Sequence, residues 1–214
     1  MLAKGSLSWI GGMLLFTLLA GYAAYGPKFP SGVIHIIFIF LFIVGTLLTL
    51  FFIIFFRDPE RTPPGNEDDA VSPADGKVIS IHSRTICIFM NIHNVHVNRA
   101  PLGGMVTHID YRPGGYIPAF NKDSNVNERN HVVLKTDAGI LELTQIAGVL
   151  TRRIVSYISE GSRIKRGERI GMIRFGSRVD VVFPEEYELA VGVGEKVTAG
   201  ITIIARKKEK RIGK

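Results

Sequence analysis

Gly161-Ser162-Arg163-Ile164-Lys165-Arg166-Gly167-Glu168-Arg169-Ile170 returns 33 residues later as Gly194-Glu195-Lys196-Val197-Thr198-Ala199-Gly200-Ile201-Thr202-Ile203. Only the glycines and the aliphatic positions are shared, in the spacing G-x-x-I/V-x-x-G-x-x-I. Two turns with one glycine spacing predict two equivalent hairpins, packed as the halves of a sandwich. Short β-like segments surround them, at residues 78–81, 85–92, 131–134, 140–143, 179–183 and 201–204. Beyond residue 70 there is no long amphipathic helix, so the domain is expected to be mainly β, a barrel-sandwich.

The spacing resembles the hairpins of lipoyl and biotinyl carrier domains, which present a modified lysine at a hairpin tip. Between the two repeats this chain has no lysine and offers Gly176-Ser177 instead. The resemblance implies a lipoyl-like architecture without the carrier function.

Gly176-Ser177 lies in Ile170-Gly171-Met172-Ile173-Arg174-Phe175-Gly176-Ser177-Arg178-Val179-Asp180. Taken alone, Gly-Ser is an ordinary turn between two strands. It has a second reading. Glycine lets another group approach its carbonyl, and a serine hydroxyl directly after it can attack that carbonyl if a base takes its proton.

The first quarter of the chain is of another kind. Residues 1–56 hold none of the 19 acidic residues and two of the 26 basic ones, Lys4 and Lys28. Two apolar runs, 7–25 and 32–56, are each long enough to cross a bilayer as a helix, which takes roughly 20 residues. The turn between them is short, which predicts a transmembrane helical hairpin. A cleaved signal peptide is the alternative for the first run. Lys4, Arg57 and Arg61 fall on one side and Lys28 on the other, so the polar domain is expected on the cytoplasmic side of the cell membrane. The expected organisation is a hairpin at 1–56, a proline-rich linker at 57–70, a catalytic domain at 71–205 and a basic tail at 206–214. That tail is either solvated or laid on anionic lipid. The single cysteine, Cys87, excludes an intrachain disulfide framework.

Chemistry-bearing residues gather on turns. Ser72-Pro73-Ala74-Asp75-Gly76 precedes the first predicted strand of the domain. In Asn91-Ile92-His93-Asn94-Val95-His96-Val97 the apolar alternation slips by one residue, which marks a bulge or bend at His93-Asn94. Each histidine is out of phase with its apolar neighbours, so both rings are expected to leave the core on one side. Two close histidines also raise zinc, but neither an H-E-x-x-H pattern nor a cysteine cluster accompanies them. Serine, histidine and aspartate together supply a nucleophile, a base and an orienting carboxylate. A serine hydrolase more often shows G-x-S-x-G, which is absent here.

Four motifs in this order resemble the phosphatidylserine decarboxylase family in its short form. They are Ser72-Pro73-Ala74-Asp75-Gly76; His93-x-x-His96 with Asn98-Arg99-Ala100-Pro101; Ile146-Ala147-Gly148 followed by Arg152-Arg153-Ile154-Val155; and Arg174-Phe175-Gly176-Ser177-Arg178. The resemblance implies that Ser177 attacks Gly176 and the chain splits there. Residues 177–214 become an α chain that begins with a pyruvoyl group, a covalent pyruvate derived from Ser177. Asp75 and His96 match the positions that activate the serine, and His93 the position that assists decarboxylation. The pyruvoyl carbonyl forms an imine (a Schiff base) with the substrate amine. The implied substrate is a serine phospholipid in the membrane, the implied partners are the α and β chains of one precursor, and a homo-oligomer stays open. Neither a metal nor a nucleic acid is implied. Two weaker expectations concern a loop over the site at 111–130 and Arg99, which either meets the substrate or forms a structural ion pair. The competing classes are a membrane-anchored lipoyl-like adaptor and a hydrolase whose triad stays intact.

Overall fold

A computed structural model describes residues 1–26, 32–114, 127–148 and 154–208. The chain divides into two compact units, Met1–Pro59 and Glu60–Lys214.

The first unit is two antiparallel helices, α1 (Leu7–Tyr25) and α2 (Val33–Phe55). At 1.5 Å per residue they are about 28 and 34 Å long, the thickness of a bilayer's hydrocarbon core. Small residues let them close on each other. Gly45 faces Phe16 and Thr17, Gly21 faces Phe42, and the Thr17 and Thr49 hydroxyls meet at 3.1 Å. Most of the large apolar side chains point outward, Leu18, Ile36, Phe40 and Leu47 among them. That arrangement suits a lipid solvent and would be costly in water. The turn that the sequence puts between the runs falls at 27–31, outside the described residues.

The second unit is mainly β, as the sequence predicts. Its strands are β1 (Ala70–Val71), β2 (Gly76–His82), β3 (Thr85–Met90), β4 (Val97–Arg99), β5 (Gly104–Arg112), β6 (Arg129–Thr136), β7 (Gly139–Ala147), β8 (Ile154–Ser156), β9 (Arg163–Ile164), β10 (Arg169–Ile173), β11 (Ser177–Val182), β12 (Tyr187–Leu189), β13 (Lys196–Val197) and β14 (Ile203–Lys207). Among the described residues they form an antiparallel sheet in the order β13-β2-β3-β11-β7-β6-β5-β9, with two small antiparallel sheets, β1-β14-β12 and β4-β10-β8. Alternation puts Ile86, Ile88, Leu141, Leu143, Val179 and Val181 on one buried face.

The glycine repeat folds twice in the same way. Gly161, Gly167, Gly194 and Gly200 all have positive φ, and each pair brackets a two-residue strand, β9 or β13. Each of these strands closes one edge of the large sheet. The equivalence extends to a second pair of segments that the sequence reading does not connect. Ser72-Pro73-Ala74-Asp75-Gly76-Lys77-Val78 corresponds, 28 residues on, to Ala100-Pro101-Leu102-Gly103-Gly104-Met105-Val106. Gly200 N–H donates to Ser72 O and Gly167 N–H to Ala100 O, both at 2.8 Å. Gly194 N–H donates to Val78 O and Gly161 N–H to Val106 O, again both at 2.8 Å. Val71 N–H reaches Pro101 O at 3.0 Å while Arg99 N–H reaches Pro73 O at 2.9 Å, so the two halves clasp each other reciprocally.

From Glu60 on, the proline-rich stretch is a strap bound to this unit. Glu60 pairs with Arg169 at 2.9 Å, Pro63 covers Gly167, and Arg166 donates to the carbonyls of Pro64 and Asp69. Arg206 and Lys207, the start of the basic tail, continue β14 and face Asp69 and Asp68. The rest of the tail, 209–214, lies outside the described residues.

Candidate active site

Ser177 opens β11, hydrogen-bonded between β3 and β7, with Met90 and Ala147 as its register partners. It lies on the same face as Val179 and Val181 and is fully buried. Its Oγ has no hydrogen-bond partner among the described residues. A buried hydroxyl without a partner is destabilising, by about 1–3 kcal/mol, so such a group is held in place for a purpose other than stability.

The backbone just before it is strained. Phe175 has φ 59° and Gly176 φ 63°, two successive left-handed residues. Glycine accepts this conformation, whereas for phenylalanine it costs on the order of 1–3 kcal/mol. The carbonyl of Gly176 is also closely backed. A Cβ on Gly148 would lie 2.1 Å from the Gly176 oxygen, so that oxygen occupies the space a side chain would fill.

The two histidines part company. β3 ends at Met90, and residues 91–94 form a turn closed by Asn94 N–H to Asn91 O at 2.9 Å and by Asn91 N–H to Asn94 Oδ1 at 2.8 Å. Of the two readings of the slip, bulge or bend, the structure shows the bend, a turn that carries the chain from one sheet to another. His93 is exposed on that turn, whereas His96 is only 1% exposed. The expectation that both rings leave the core is corrected for His96, because the chain enters β4 there and carries the ring inward. His96 Nδ1 lies 2.9 Å from the Asn94 carbonyl. A carbonyl only accepts, so Nδ1 carries the proton and Nε2 is the basic nitrogen. The His96 carbonyl accepts from Ile173 N–H at 3.2 Å, three residues before Gly176.

Asp75 is held differently from what triad logic suggests. Its Oδ1 accepts from Arg61 at 2.5 Å and from Ala199 N–H at 2.8 Å. Its Oδ2 accepts from Arg61 at 3.0 Å and from Val95 N–H at 3.4 Å. These four bonds fill the lone pairs of a carboxylate. Asp75 thus anchors the backbone next to His96, while the imidazole Nδ1 is satisfied by Asn94. Sequence reasoning counts Arg61 only as a membrane-orienting charge and misses this contact.

A chain of buried amides also goes unread in the sequence. Asn130 Nδ2 donates to Gln145 Oε1 at 3.0 Å, Gln145 Nε2 to Asn98 Oδ1 at 2.8 Å, and Asn98 Nδ2 to Pro73 O at 3.4 Å. It links β6, β7 and β4 to the turn that carries Asp75. Polar residues at core-facing strand positions are the signal that could have found it: Gln145 continues the buried series Leu141, Leu143. Arg99 is buried, donates to Gly167 O at 2.9 Å and fills the space beside Gly200, so it is bound within the fold. Arg152, Arg153 and residues 115–126 of the expected loop lie outside the described residues. Among the described residues there is no group of three or more metal-ligating side chains.

The profile of a family described as phosphatidylserine decarboxylase matches residues 48–205. A protein of Methanococcoides burtonii bearing the name archaetidylserine decarboxylase proenzyme is 49% identical over 214 residues, the whole of both chains. One of the same name from Methanosarcina acetivorans is 46% identical over 99% of each chain. A phosphatidylserine decarboxylase proenzyme of Streptomyces griseus is 53% identical over 71% of this chain and 72% of its own.

Proposed function

The chain belongs to the phosphatidylserine decarboxylase family and is a decarboxylase, and from that premise we propose that it converts a serine phospholipid to the ethanolamine phospholipid with a pyruvoyl group made from its own Ser177. The observation that carries this reading is the buried Ser177 hydroxyl beside the strained, closely backed carbonyl of Gly176. A serine placed there for hydrolysis would need room for a substrate acyl group. Here the neighbouring acyl group is its own peptide bond, so the residues present fit a self-made pyruvoyl group.

The chemistry of cleavage follows from the chain itself. Ser177 Oγ adds to the Gly176 carbonyl carbon and its proton passes to Nε2 of His96. The C–N bond breaks, the Ser177 nitrogen takes that proton, and Gly176 is left as an ester on the Ser177 side chain. Loss of the Ser177 α-proton with rupture of the Cβ–O bond frees Gly176 as the carboxylate end of the β chain. The dehydroalanine left at 177 takes up water and releases ammonia, which leaves the pyruvoyl group at the head of the α chain. Asp75 contributes by holding residue 95, and so His96, in place.

The pyruvoyl carbonyl supplies the electron sink for loss of carbon dioxide. His93 is assigned the return of a proton to the substrate α-carbon, and its exposure on the turn supports that assignment. The two apolar helices support a membrane anchor, and Lys4 and Arg57 on one side against Lys28 on the other support a cytoplasmic catalytic unit. Anchoring is useful only if the substrate is at the membrane too. The full-length likeness to the archaetidylserine-named relatives admits ether lipids beside acyl lipids as substrates.

Intact mass measurement tests the reading. The wild-type protein should yield residues 177–214 as a separate fragment with a blocked N-terminus, and Ser177→Ala should stay whole and inactive. The protein should turn over serine phospholipid in bilayers and scarcely touch free serine. A single full-length chain with normal activity, or equal turnover of free serine, would overturn it.

A further inference from the structure

We propose that Arg61 is a positioning residue for self-cleavage, acting on His96 through Asp75. This rests on the reading of Gly176-Ser177 as the cleaved bond. The Arg61–Asp75 pair is bidentate and shielded, with side-chain exposures of 10% and 13%. Arg61 Nη1 donates also to Ala199 O at 2.8 Å, and Ala199 N–H returns a bond to Asp75. The ring of contacts joins four segments: the strap, the turn before β2, the backbone at Val95 beside His96, and the turn before β14.

The molecule contains its own control for whether this is mere scaffolding. In the other half of the repeat the position of Asp75 is Gly103. A Cβ there would stand 3.5 Å from Arg166 N, the counterpart of Ala199 N in the repeat. Even so, the turn at 100–106 makes the same hydrogen bonds to its glycine hairpin as the turn at 72–78. The turn folds without the carboxylate and its arginine. The pair occurs only in the half whose carboxylate touches the histidine segment, so its role is to fix Val95 and His96. Shielding and planar bidentate geometry call for a guanidinium, which an ammonium does not reproduce.

The test follows precursor decay in the full chain, in detergent, on denaturing gels. Arg61→Ala should remain folded by circular dichroism and slow cleavage about a hundredfold, the size expected of a misplacement near 1 Å. Arg61→Lys should recover only part of the rate. Guanidinium added to Arg61→Ala at non-denaturing concentration should speed cleavage, and methylammonium should do so less. Glu60→Gln removes the exposed strap contact to Arg169 and should leave the rate unchanged. Wild-type rates in folded Arg61→Ala, or slow cleavage without any guanidinium rescue, would overturn the proposal. A wild-type chain that never splits at 176–177 would instead overturn the cleavage reading on which it rests.

Discussion

The Gly176 carbonyl oxygen rests against Gly148, in the space where any other residue would carry its Cβ. The two positions are 28 residues apart and meet because β7 and β11 are neighbours, with Ala147 opposite Ser177. Gly148→Ala must displace that oxygen, and with it the carbon proposed as the target of Ser177. Cleavage should slow about a hundredfold. Precursor half-life on a denaturing gel reads this directly, and an unchanged half-life would show that the backing of the carbonyl is irrelevant.

The different burial of the two histidines separates their stages. His96→Ala should block cleavage, since it removes a base held beside the Ile173–Ser177 connection. His93→Ala should cleave yet lose turnover, since its ring is on an exposed turn. Mass analysis and decarboxylation assays on the two variants distinguish these outcomes, and a reversed pattern would exchange the assigned roles.

Gln145→Leu keeps the size of the side chain but cuts the amide chain at its centre. Asn98 Oδ1 and Asn130 Nδ2 would each lose a buried partner. At about 1–3 kcal/mol for each unsatisfied group, the variant should be several kcal/mol less stable. Thermal unfolding of uncleaved Ser177→Ala, with and without the second change, measures it; equal midpoints would mean that water replaces the lost bonds.

Burial, and next the charge of Asp180 opposite it on β11, pushes the Cys87 thiol from 9.0 up to about 11. The folded chain thus favours the neutral thiol. That contribution to stability is complete below the unfolded value and is lost as pH rises through the folded one. Iodoacetamide near pH 8.5 should label Cys87 very slowly in native protein and quickly in denaturant, because the thiolate is the nucleophile. Rapid native labelling would mean that β3 and β11 open readily.

Continuity of apolar residues and clean alternation were legible in the linear chain, because these patterns are local. They yielded both helices and most of the central strands. β5 was not legible: a shift in register between Val106 and His108 turns both Val106 and Ile109 inward and spoils its period of two. The exchange of Asp75 for Gly103 likewise hid the second repeat, since the equivalence lies in backbone bonds and not in side chains.

By itself the sequence determined the mainly β class, the paired apolar helices and the residues from which a cleavage site can be built. It did so through residue chemistry and short-range period. Tertiary structure alone decided that His96 is buried while His93 is not, that Asp75 is spent on Arg61 and two backbone amides, and that Gly148 backs the carbonyl of Gly176. Each of these depends on which strands lie side by side, and strand pairing is a long-range outcome of burying the whole core at once.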